Sequence, residues 1–372
     1  MRRVDGTVDV LGVARAGGGG MVGAMSRRPD TPLRRGWTTG ACATAAVRAA
    51  LMMLWGEGRP DRVRITLPRG ERPDFAIAEA DAGPGWAEAA IIKDAGDDPD
   101  VTHCALIRAR VEASEGGVVF VAGEGVGVVT KPGLPVAVGE PAINPVPRHM
   151  MRETVAEMAA RLGQSGDVRI TISVPGGAAL AEKTWNPRLG IRGGLSILGT
   201  TGIVRPFSCA AWIASIHRGV DVARASGTAH VAGCTGATSE RVVQGLHGLE
   251  DHAMLDMGDF AGGMLKYIAA HPVGHVTLGG GLGKLTKFAQ GAGDLHSGRS
   301  QVDFDDLAAR FGVPGAAAAN TTAEALALIG PDYPAWVAVA ARAEMTRRLG
   351  ADNGIGTDVV VIDRGGAILA RA

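Results

Sequence analysis

A glycine-rich segment between residues 184 and 208 has the composition expected of an anion-binding site. It contains five glycines and no Asp or Glu. Glycine lets the backbone adopt positive φ and approach a ligand closely, which exposes N–H groups. Arginines in the same segment can pair with carboxylate or phosphate groups. The pattern predicts binding of an acidic small molecule by Arg188, Arg192, Gly199, Thr200, Thr201, Gly202 and Arg205.

A second predicted anion site lies near residue 38. Two threonines and a glycine precede an Ala-rich run, so a threonine can cap a helix whose N-terminus attracts anions. Two arginines stand just before them. Ordinary helix capping explains the same pattern and remains an alternative. The substrate-binding candidates here are Arg34, Arg35, Thr38, Thr39 and Gly40.

Four aspartates crowd the turn DAGDDPD at residues 94–100, with a spacing that differs from that of an EF-hand. Crowded carboxylates repel one another, so one of them can carry a raised pKa and act as a general acid or base. A cation site and a plain polar turn remain alternatives. The catalytic candidates are Asp94 and Asp97.

The second half of the chain has two junctions in which a strand pattern, a glycine loop and a helix pattern follow one another. In parallel sheets, ligands bind beyond the carboxyl ends of the strands. Neither loop matches a Walker A sequence or G-x-G-x-x-G, and helix capping explains either loop alone. Asp256 is suited either to ribose hydroxyls or to capping. The predicted contacts to a nucleoside-containing cofactor are Gly233, Thr235, Gly236, Asp256, Gly279, Gly280, Gly281 and Lys284.

Histidine and cysteine spacing predicts no metal held by the protein. The histidines show no H-E-x-x-H pattern, and the four cysteines show no C-x-x-C pair. His296 follows a glycine-rich loop and is suited to relaying protons or binding a carboxylate, so we assign it to the substrate.

The composition limits the class of protein that positions these residues. The chain has 372 residues, of which 46% are hydrophobic and 20% charged, which is typical of a globular protein with more than one domain. A net charge of zero argues against a general nucleic-acid binder. With no apolar run of about 20 residues and no secretory signal, we expect a cytoplasmic protein. Residues 1–30 are Gly- and Arg-rich and predict a disordered tail, with Met21 or Met25 as alternative starts.

The elements predict two domains. Short runs that alternate apolar and polar residues fill the first half, whereas strand, loop and helix patterns alternate in the second. We predict an N-terminal mixed or antiparallel α+β domain over 31–219, followed by a Rossmann-like α/β domain over 220–372. Helices are expected over 41–55, 145–163 and 205–219, and a hairpin is expected near residue 365.

Five segments in this order resemble the cobalt-precorrin-5B C-1-methyltransferase family (CbiD) of corrin-ring biosynthesis, and the resemblance extends from about residue 33 to the C-terminus. The segments are LRRGWTTGACATAAVRAAL, KDAGDDPDVTH, TWNPRLGIRGGLSILGTTGIVRPFS, GGGLGKLTKFAQGAGDLHS and GTDVVVIDRGGAILA.

The resemblance implies transfer of a methyl group from S-adenosyl-L-methionine to carbon 1 of cobalt-precorrin-5B, giving cobalt-precorrin-6A. Cobalt then enters only as part of the tetrapyrrole substrate. The same reading includes no nucleic-acid or membrane partner, a homo-oligomer and transient contacts with neighbouring pathway enzymes. Two alternatives to a methyltransferase remain: a nucleotide-dependent oxidoreductase or kinase, and a tetrapyrrole carrier without enzymatic activity.

Overall fold

The structure is a computed structural model that describes residues 32–372, so the predicted disordered tail and the alternative starts lie outside the described residues. The mixed α and β character predicted from the sequence is confirmed. Within residues 32–372, no helix is both long enough and apolar enough to cross a bilayer.

The first half contains short strands and two long helices. Its elements are β1 (Gly36–Trp37), α1 (Thr39–Leu54), β2 (Arg62–Arg64), β3 (Asp74–Ala76), β4 (Glu79–Gly83), β5 (Trp86–Ile92), β6 (Leu106–Ala113), β7 (Val118–Ala122), β8 (Val128–Val129), α2 (Pro145–Leu162), β9 (Val168–Ser173), α3 (Gly177–Ala181), β10 (Ile191–Arg192) and β11 (Ile203–Val204).

The second half alternates strands and helices. Its elements are α4 (Cys209–Ala225), β12 (His230–Cys234), α5 (Ala237–His247), β13 (Met254–Leu255), α6 (Ala261–Ala270), β14 (His275–Gly281), α7 (Leu282–Ala289), α8 (Phe304–Phe311), α9 (Thr322–Ile329), α10 (Asp332–Leu349), β15 (Gly356–Ile362) and β16 (Ile368–Arg371). Two 3-10 turns lie at Asp251–Ala253 and Pro314–Ala318.

A five-stranded sheet in the order β4-β5-β6-β9-β7 forms the centre of the first half. Its strands are antiparallel except for the parallel pair of β7 and β9. Helix α1 packs on β5, β6 and α2, and its many alanines allow this close approach. Thr38 caps α1 by accepting a hydrogen bond from the N–H of Ala41. Gly163 ends α2 in the left-handed region, as the sequence predicted.

Gly36 lies where two backbone segments meet, so replacing it with alanine is expected to destabilise the fold. An added Cβ would lie 2.0 Å from the carbonyl carbon of Ala95. We expect Gly36→Ala to lower the free energy of unfolding by about 1–3 kcal/mol, as overpacking does. Gly245→Ala is the matched control, because no described atom lies within 4 Å of a Cβ at that helical position. Equal denaturation midpoints for both variants and the wild type would contradict the prediction.

The second sheet has the order β13-β12-β14-β15-β16, in which the first four strands are parallel and β16 is antiparallel. Helix α5 packs on one face, and α7 and α10 pack on the other. Because β13 and β14 flank β12, the strand order reverses between β12 and β14. The loops that follow those two strands therefore diverge at the edge where parallel sheets bind ligands. The predicted closing hairpin is confirmed by the pairing of β15 with β16.

Three local predictions are wrong. Helix α4 continues through Gly219 to Ala225, because Val220 and Ala223 bury apolar side chains in the second core. The strands also extend further than expected: Gly233 lies inside β12, and 279–281 belong to β14.

The division into two domains remains a proposal. The buried core of the first half ends at Ile197, and that of the second begins at Ile216. Residue 220, where we placed the boundary, lies inside α4. A boundary before Cys209 therefore fits the packing better.

Candidate functional site

Six residues lie at or just beyond the carboxyl ends of β12, β13 and β14, and we call them the carboxyl-edge cluster. Lys284 connects the three loops, because its Nζ lies 2.9 Å from Asp259 Oδ1 and donates to the Thr235 carbonyl at 3.0 Å. The ammonium group thus fixes the spacing of the loops. The cluster consists of Thr235, Gly236, Asp256, Asp259, Gly281 and Lys284.

Asp256 follows directly after β13 and carries an unsatisfied oxygen. Its Oδ2 is buried and has no hydrogen-bond partner among residues 32–372. Burial raises the pKa of this carboxyl to about 7, with a further contribution from Glu240 that Arg188 partly offsets. A buried polar atom without a partner is costly. The arrangement therefore suits a ligand whose hydroxyl groups donate to this oxygen.

Gly236 and Gly281 offer bare backbone at the same edge of the sheet as Asp256. An ideal Cβ at either position has no atom of the described chain within 4 Å. These two glycines, which precede α5 and α7, therefore border open space at the starts of two helices. Such a site accommodates a ligand against the backbone.

Three predicted cofactor contacts need correction, because packing between strands and helices explains their glycines. A Cβ at Gly233 would lie 2.4 Å from Met264 Sδ. At Gly279 it would lie 2.5 Å from Val243, and at Gly280 it would lie 2.8 Å from the Thr235 side chain. We therefore remove all three from the proposed contacts.

Arg188 joins the two halves of the chain. Its guanidinium pairs with Glu240 on α5, donates to the Met254 carbonyl at 3.4 Å and lies 4.6 Å from the centre of the Trp185 ring. The side chain that we assigned to substrate is thus engaged within the protein. The positive charge of Arg188 instead lies close to the carboxyl groups of Glu240 and Asp256.

The acidic turn at 94–100 packs against Arg34. The guanidinium makes a two-pronged pair with Asp94, and the Arg34 N–H donates to Asp97 Oδ2 at 2.6 Å. The hydrogen bond from Arg34 is the main reason that the pKa of Asp94 lies below its usual range. Our assignment of Asp94 and Asp97 as the base is thus poorly supported, because both carboxylates already accept hydrogen bonds from Arg34.

Asp98 in the same turn is a better candidate for a base. It is half-buried, and burial raises the pKa of its carboxyl. Its Oδ1 accepts the Phe207 N–H at 2.9 Å. The crowding of carboxylates predicted one raised pKa in this turn but did not identify which residue carries it.

The turn is anchored by a buried ion pair. Lys93 is only 1% exposed, and its Nζ lies 2.5 Å from Asp100 Oδ2. Asp100 also accepts two hydrogen bonds from Thr102. This pair holds the end of β5 against the loop and so fixes the position of Asp98.

The predicted anion site at 38–40 binds the glycine-rich loop instead. The Thr38 N–H donates to the Gly202 carbonyl at 3.0 Å, and the Gly40 N–H donates to the Leu198 carbonyl at 2.9 Å. Thr39 Oγ1 also bonds to Leu198. Because the loop takes up these donors, the roles of Thr38, Thr39, Gly40, Gly199 and Gly202 in binding anions stay predictions without structural support.

Besides Arg34, which is exposed but pairs with Asp94, three of the predicted substrate arginines are exposed. These are Arg35, Arg192 and Arg205. Thr200 and Thr201 lie in the turn before β11, and the Thr201 hydroxyl bonds to the Ile203 backbone.

The start of α4 lies between the two groups of carboxylates. Phe207, just before α4, donates to Asp98, whereas Trp212 in its first turns donates from Nε1 to the Asp256 carbonyl at 2.8 Å. The structure thereby brings the acidic turn of the first half and the carboxyl-edge cluster of the second to the same helix end.

The loop that carries His296 borders the carboxyl-edge cluster. The Leu295 N–H donates to the Asp259 carbonyl at 2.8 Å. His296 Nδ1 accepts the Gly298 N–H at 3.1 Å, so the neutral ring carries its proton on Nε2. Its assignment to the substrate stays a prediction.

A cavity of about 680 Å³ lies elsewhere, at the amino ends of β12 and β14. Its walls include Gly133, Asp221, Thr228 and Gly274. Among the described residues that line it, none is a predicted site residue, so we do not associate it with the chemistry.

Comparison with known proteins identifies the family. The CbiD family profile matches residues 26–206. A protein of Paramagnetospirillum magneticum named cobalt-precorrin-5B C(1)-methyltransferase is 56% identical over 354 residues, covering 92% of this chain and 99% of that protein. The chain belongs to the CbiD family. A Rhodospirillum rubrum protein with the same name is 56% identical, covering 91% of this chain and 97% of its own length.

One solved CbiD structure also matches. The crystal structure of a cobalamin biosynthesis protein (CbiD) from Archaeoglobus fulgidus is 28% identical, covers 72% of this chain and 83% of that chain, and gives a TM-score of 0.40.

The raised pKa of Asp256 predicts a pH dependence of stability for this CbiD protein. The folded state holds the proton up to about pH 7, whereas an unfolded aspartate releases it near its ordinary value of 3.8. The stabilisation is therefore complete below that ordinary value and is lost as the pH rises through the folded value. In Asp256→Asn this loss is absent, so its melting temperature should rise relative to wild type by several degrees between about pH 4 and pH 7. A constant difference across thermal melts in that range would refute the assignment.

Proposed function

We propose that this CbiD protein is an S-adenosyl-L-methionine-dependent methyltransferase that converts cobalt-precorrin-5B to cobalt-precorrin-6A in cobalamin biosynthesis. The proposal is carried by the 56% identity, over nearly the whole chain, to proteins named for this reaction. The names favour this reading over an oxidoreductase, a kinase or a carrier.

We place the methyl donor at the carboxyl-edge cluster. The fit is supported by an Asp256 oxygen that has no hydrogen-bond partner in the described part of the chain, and by the open backbone at Gly236 and Gly281. Asp256 lies 20 residues after Gly236 at the end of the next strand, where doubly wound sheets place the acidic residue that binds ribose hydroxyls. On this basis we retain the Rossmann-like description of the second half. When bound, S-adenosyl-L-methionine supplies a methyl group activated by a sulfonium sulfur.

The macrocycle is proposed to bind beside the acidic turn and the start of α4. Its carboxylates suit exposed guanidinium groups, and Arg35, Arg192 and Arg205 keep exposed side chains for this role. Cobalt enters with the substrate. The protein contributes mainly by aligning the ring carbon with the methyl group, since positioning alone can supply several kcal/mol.

Asp98 is proposed as the base that accepts a proton from the macrocycle. Burial favours the protonated form of its carboxyl, which improves its match to a base working near neutral pH. The Phe207 N–H holds one oxygen and leaves the other available to accept a proton.

The function is tested by incubating the protein with labelled S-adenosyl-L-methionine and cobalt-precorrin-5B. We expect label in the macrocycle and calorimetric binding of S-adenosylhomocysteine. A protein that binds the macrocycle but transfers no label would be a carrier. If NADPH or ATP raises the melting temperature and S-adenosylhomocysteine does not, an oxidoreductase or a kinase would be favoured.

Several broader assignments accompany the proposal. We propose a cytoplasmic location, a homo-oligomer, transient contacts with neighbouring pathway enzymes and no nucleic-acid partner. The division into a substrate-binding domain and a cofactor-binding domain belongs with them.

A further inference from the structure

Three histidines and an aspartate meet on the second sheet, at the edge opposite the carboxyl-edge cluster. His230 and His275 begin β12 and β14, His247 ends α5, and Asp358 lies near the start of β15. Ligand atoms from His230, His247 and Asp358 all lie within 4.8 Å of one another. The proposed methyl transfer uses none of these residues. We call these four residues the histidine cluster.

The strand register creates the histidine cluster. His230 pairs with His275, and Thr277 pairs with Asp358, so the side chains of these strand residues project from the sheet face that α5 covers. His247 reaches the same face from the end of α5. A glycine makes room for one ring: a Cβ at Gly356 would lie 2.4 Å from His275 Nδ1. Because the members come from separate strands and a helix, local sequence spacing gave no sign of a metal site.

Asp358 lies next to two of the three histidines, His275 and His247. Asp358 Oδ1 accepts from His275 Nε2 at 3.0 Å, and Oδ2 lies 3.3 Å from His247 Nε2. His247 Nε2 is nonetheless buried without a hydrogen-bond partner in the described part of the chain. The side chains of His247 and Asp358 are each 12% exposed. A buried ring nitrogen that faces a carboxylate without a hydrogen bond, together with that carboxylate, offers two ligand atoms to a metal ion.

The Thr277 hydroxyl lies between two members of the cluster. Its Oγ1 lies 2.7 Å from His230 Nε2 and donates to Asp358 Oδ1. Among residues 32–372, the arginine that competes for this carboxylate is Arg371, whose Nη2 lies 3.4 Å from Asp358 Oδ2. Its side chain is 48% exposed, so it can turn towards solvent when an ion enters.

We propose that His230, His247 and Asp358 bind one divalent transition-metal ion of the Zn²⁺ type, with His275 orienting the carboxylate from its other oxygen. Imidazole nitrogens and a carboxylate oxygen are typical zinc ligands, whereas Mg²⁺ and Ca²⁺ require oxygen ligands. Ligand atoms around tetrahedral zinc lie about 3.4 Å apart, given bonds of about 2.1 Å. The ligand atoms of His230, His247 and Asp358 lie within 4.8 Å of one another, so they would move closer together when the ion binds.

The ion would tie α5 to β12 and β15, and its role would be structural. It lies at the far edge of the sheet from the methyl-donor site, so activity does not require it. Binding should therefore raise the melting temperature of the second half, because a ligand that binds only the folded state stabilises it.

The test uses the full chain purified without a polyhistidine tag and stripped with EDTA. Titration with Zn²⁺ is expected to give one equivalent of binding, with a rise in melting temperature, and Co²⁺ should give the visible absorption bands of a four-coordinate ion. Mg²⁺ should do neither. No binding of Zn²⁺ or Co²⁺, or equal effects from Mg²⁺, would overturn the proposal.

Variants locate the site. His230→Ala and His247→Gln should each weaken Zn²⁺ binding at least 100-fold, whereas His149→Ala, at an exposed histidine on α2, should leave it unchanged. If His230→Ala does not fold, His247→Gln retains a polar side chain of similar size and decides the question. Undiminished binding in folded His247→Gln would place the ion elsewhere and overturn the proposal.

Discussion

Replacing Asp98 with asparagine is expected to lower kcat for methyl transfer by about 10²–10⁴-fold, the usual contribution of a general base. Asparagine keeps the acceptor for the Phe207 N–H but cannot take up a proton. The binding of S-adenosylhomocysteine should stay within twofold of wild type, because Asp98 lies outside the carboxyl-edge cluster. Single-turnover transfer of labelled methyl groups measures the effect.

Asp94→Asn is the matched control for Asp98. It lies in the same turn, but its carboxylate is occupied by Arg34 and is partly exposed, so we expect only a small change in kcat. The wild-type rate should also rise with pH through the raised pKa of Asp98, because only the ionised carboxylate accepts a proton. Equal losses in both variants, or an unaltered pH profile in Asp98→Asn, would remove Asp98 from the mechanism.

At about pH 8, above the raised pKa of Asp256, Asp256→Asn is expected to weaken binding of S-adenosylhomocysteine by about 10- to 150-fold. Hydrogen bonds to a charged group contribute about 1.5–3 kcal/mol, and each 1.4 kcal/mol is a factor of ten in affinity. The substitution exchanges a carboxylate oxygen, unpartnered within residues 32–372, for an amide of the same size. Isothermal titration gives the affinity directly.

Asp305→Asn provides the control for Asp256, since it makes the same chemical change at an exposed position on α8. Its affinity should equal that of wild type. If Asp256→Asn also binds as wild type does, the donor site does not include Asp256. If neither variant nor wild type releases heat with S-adenosylhomocysteine, the cofactor assignment itself fails.

Local sequence patterns predicted much of the fold. Pro145 and Gly163 marked the limits of α2, because proline suits a first turn and glycine suits a left-handed end. The alternation of strands and helices indicated the parallel sheet. Gly219 was misleading as a helix stop, because the neighbouring apolar residues bury the helix against a core that local sequence does not reveal.

The site was harder to predict, because its contacts join distant parts of the chain. Of the four aspartates in the acidic turn, Asp94 pairs with Arg34, and Asp98 accepts a hydrogen bond from the Phe207 N–H. Gly279 and Gly280 looked like a binding loop, yet they make room for Val243 and Thr235. Asp256 follows a short apolar run in the sequence, and the structure places it directly after β13.

The contacts at the start of α4 have a geometric consequence for the proposed reaction. Phe207, two residues before α4, donates to Asp98, and Trp212, in the first turn of α4, donates to the Asp256 carbonyl, so the six residues 207–212 join the proposed acceptor and donor sites. A helix advances about 1.5 Å and turns about 100° per residue. The direction in which Trp212 points relative to Phe207 therefore depends on where α4 begins, and a single residue gained or lost between them would rotate one contact away from the other.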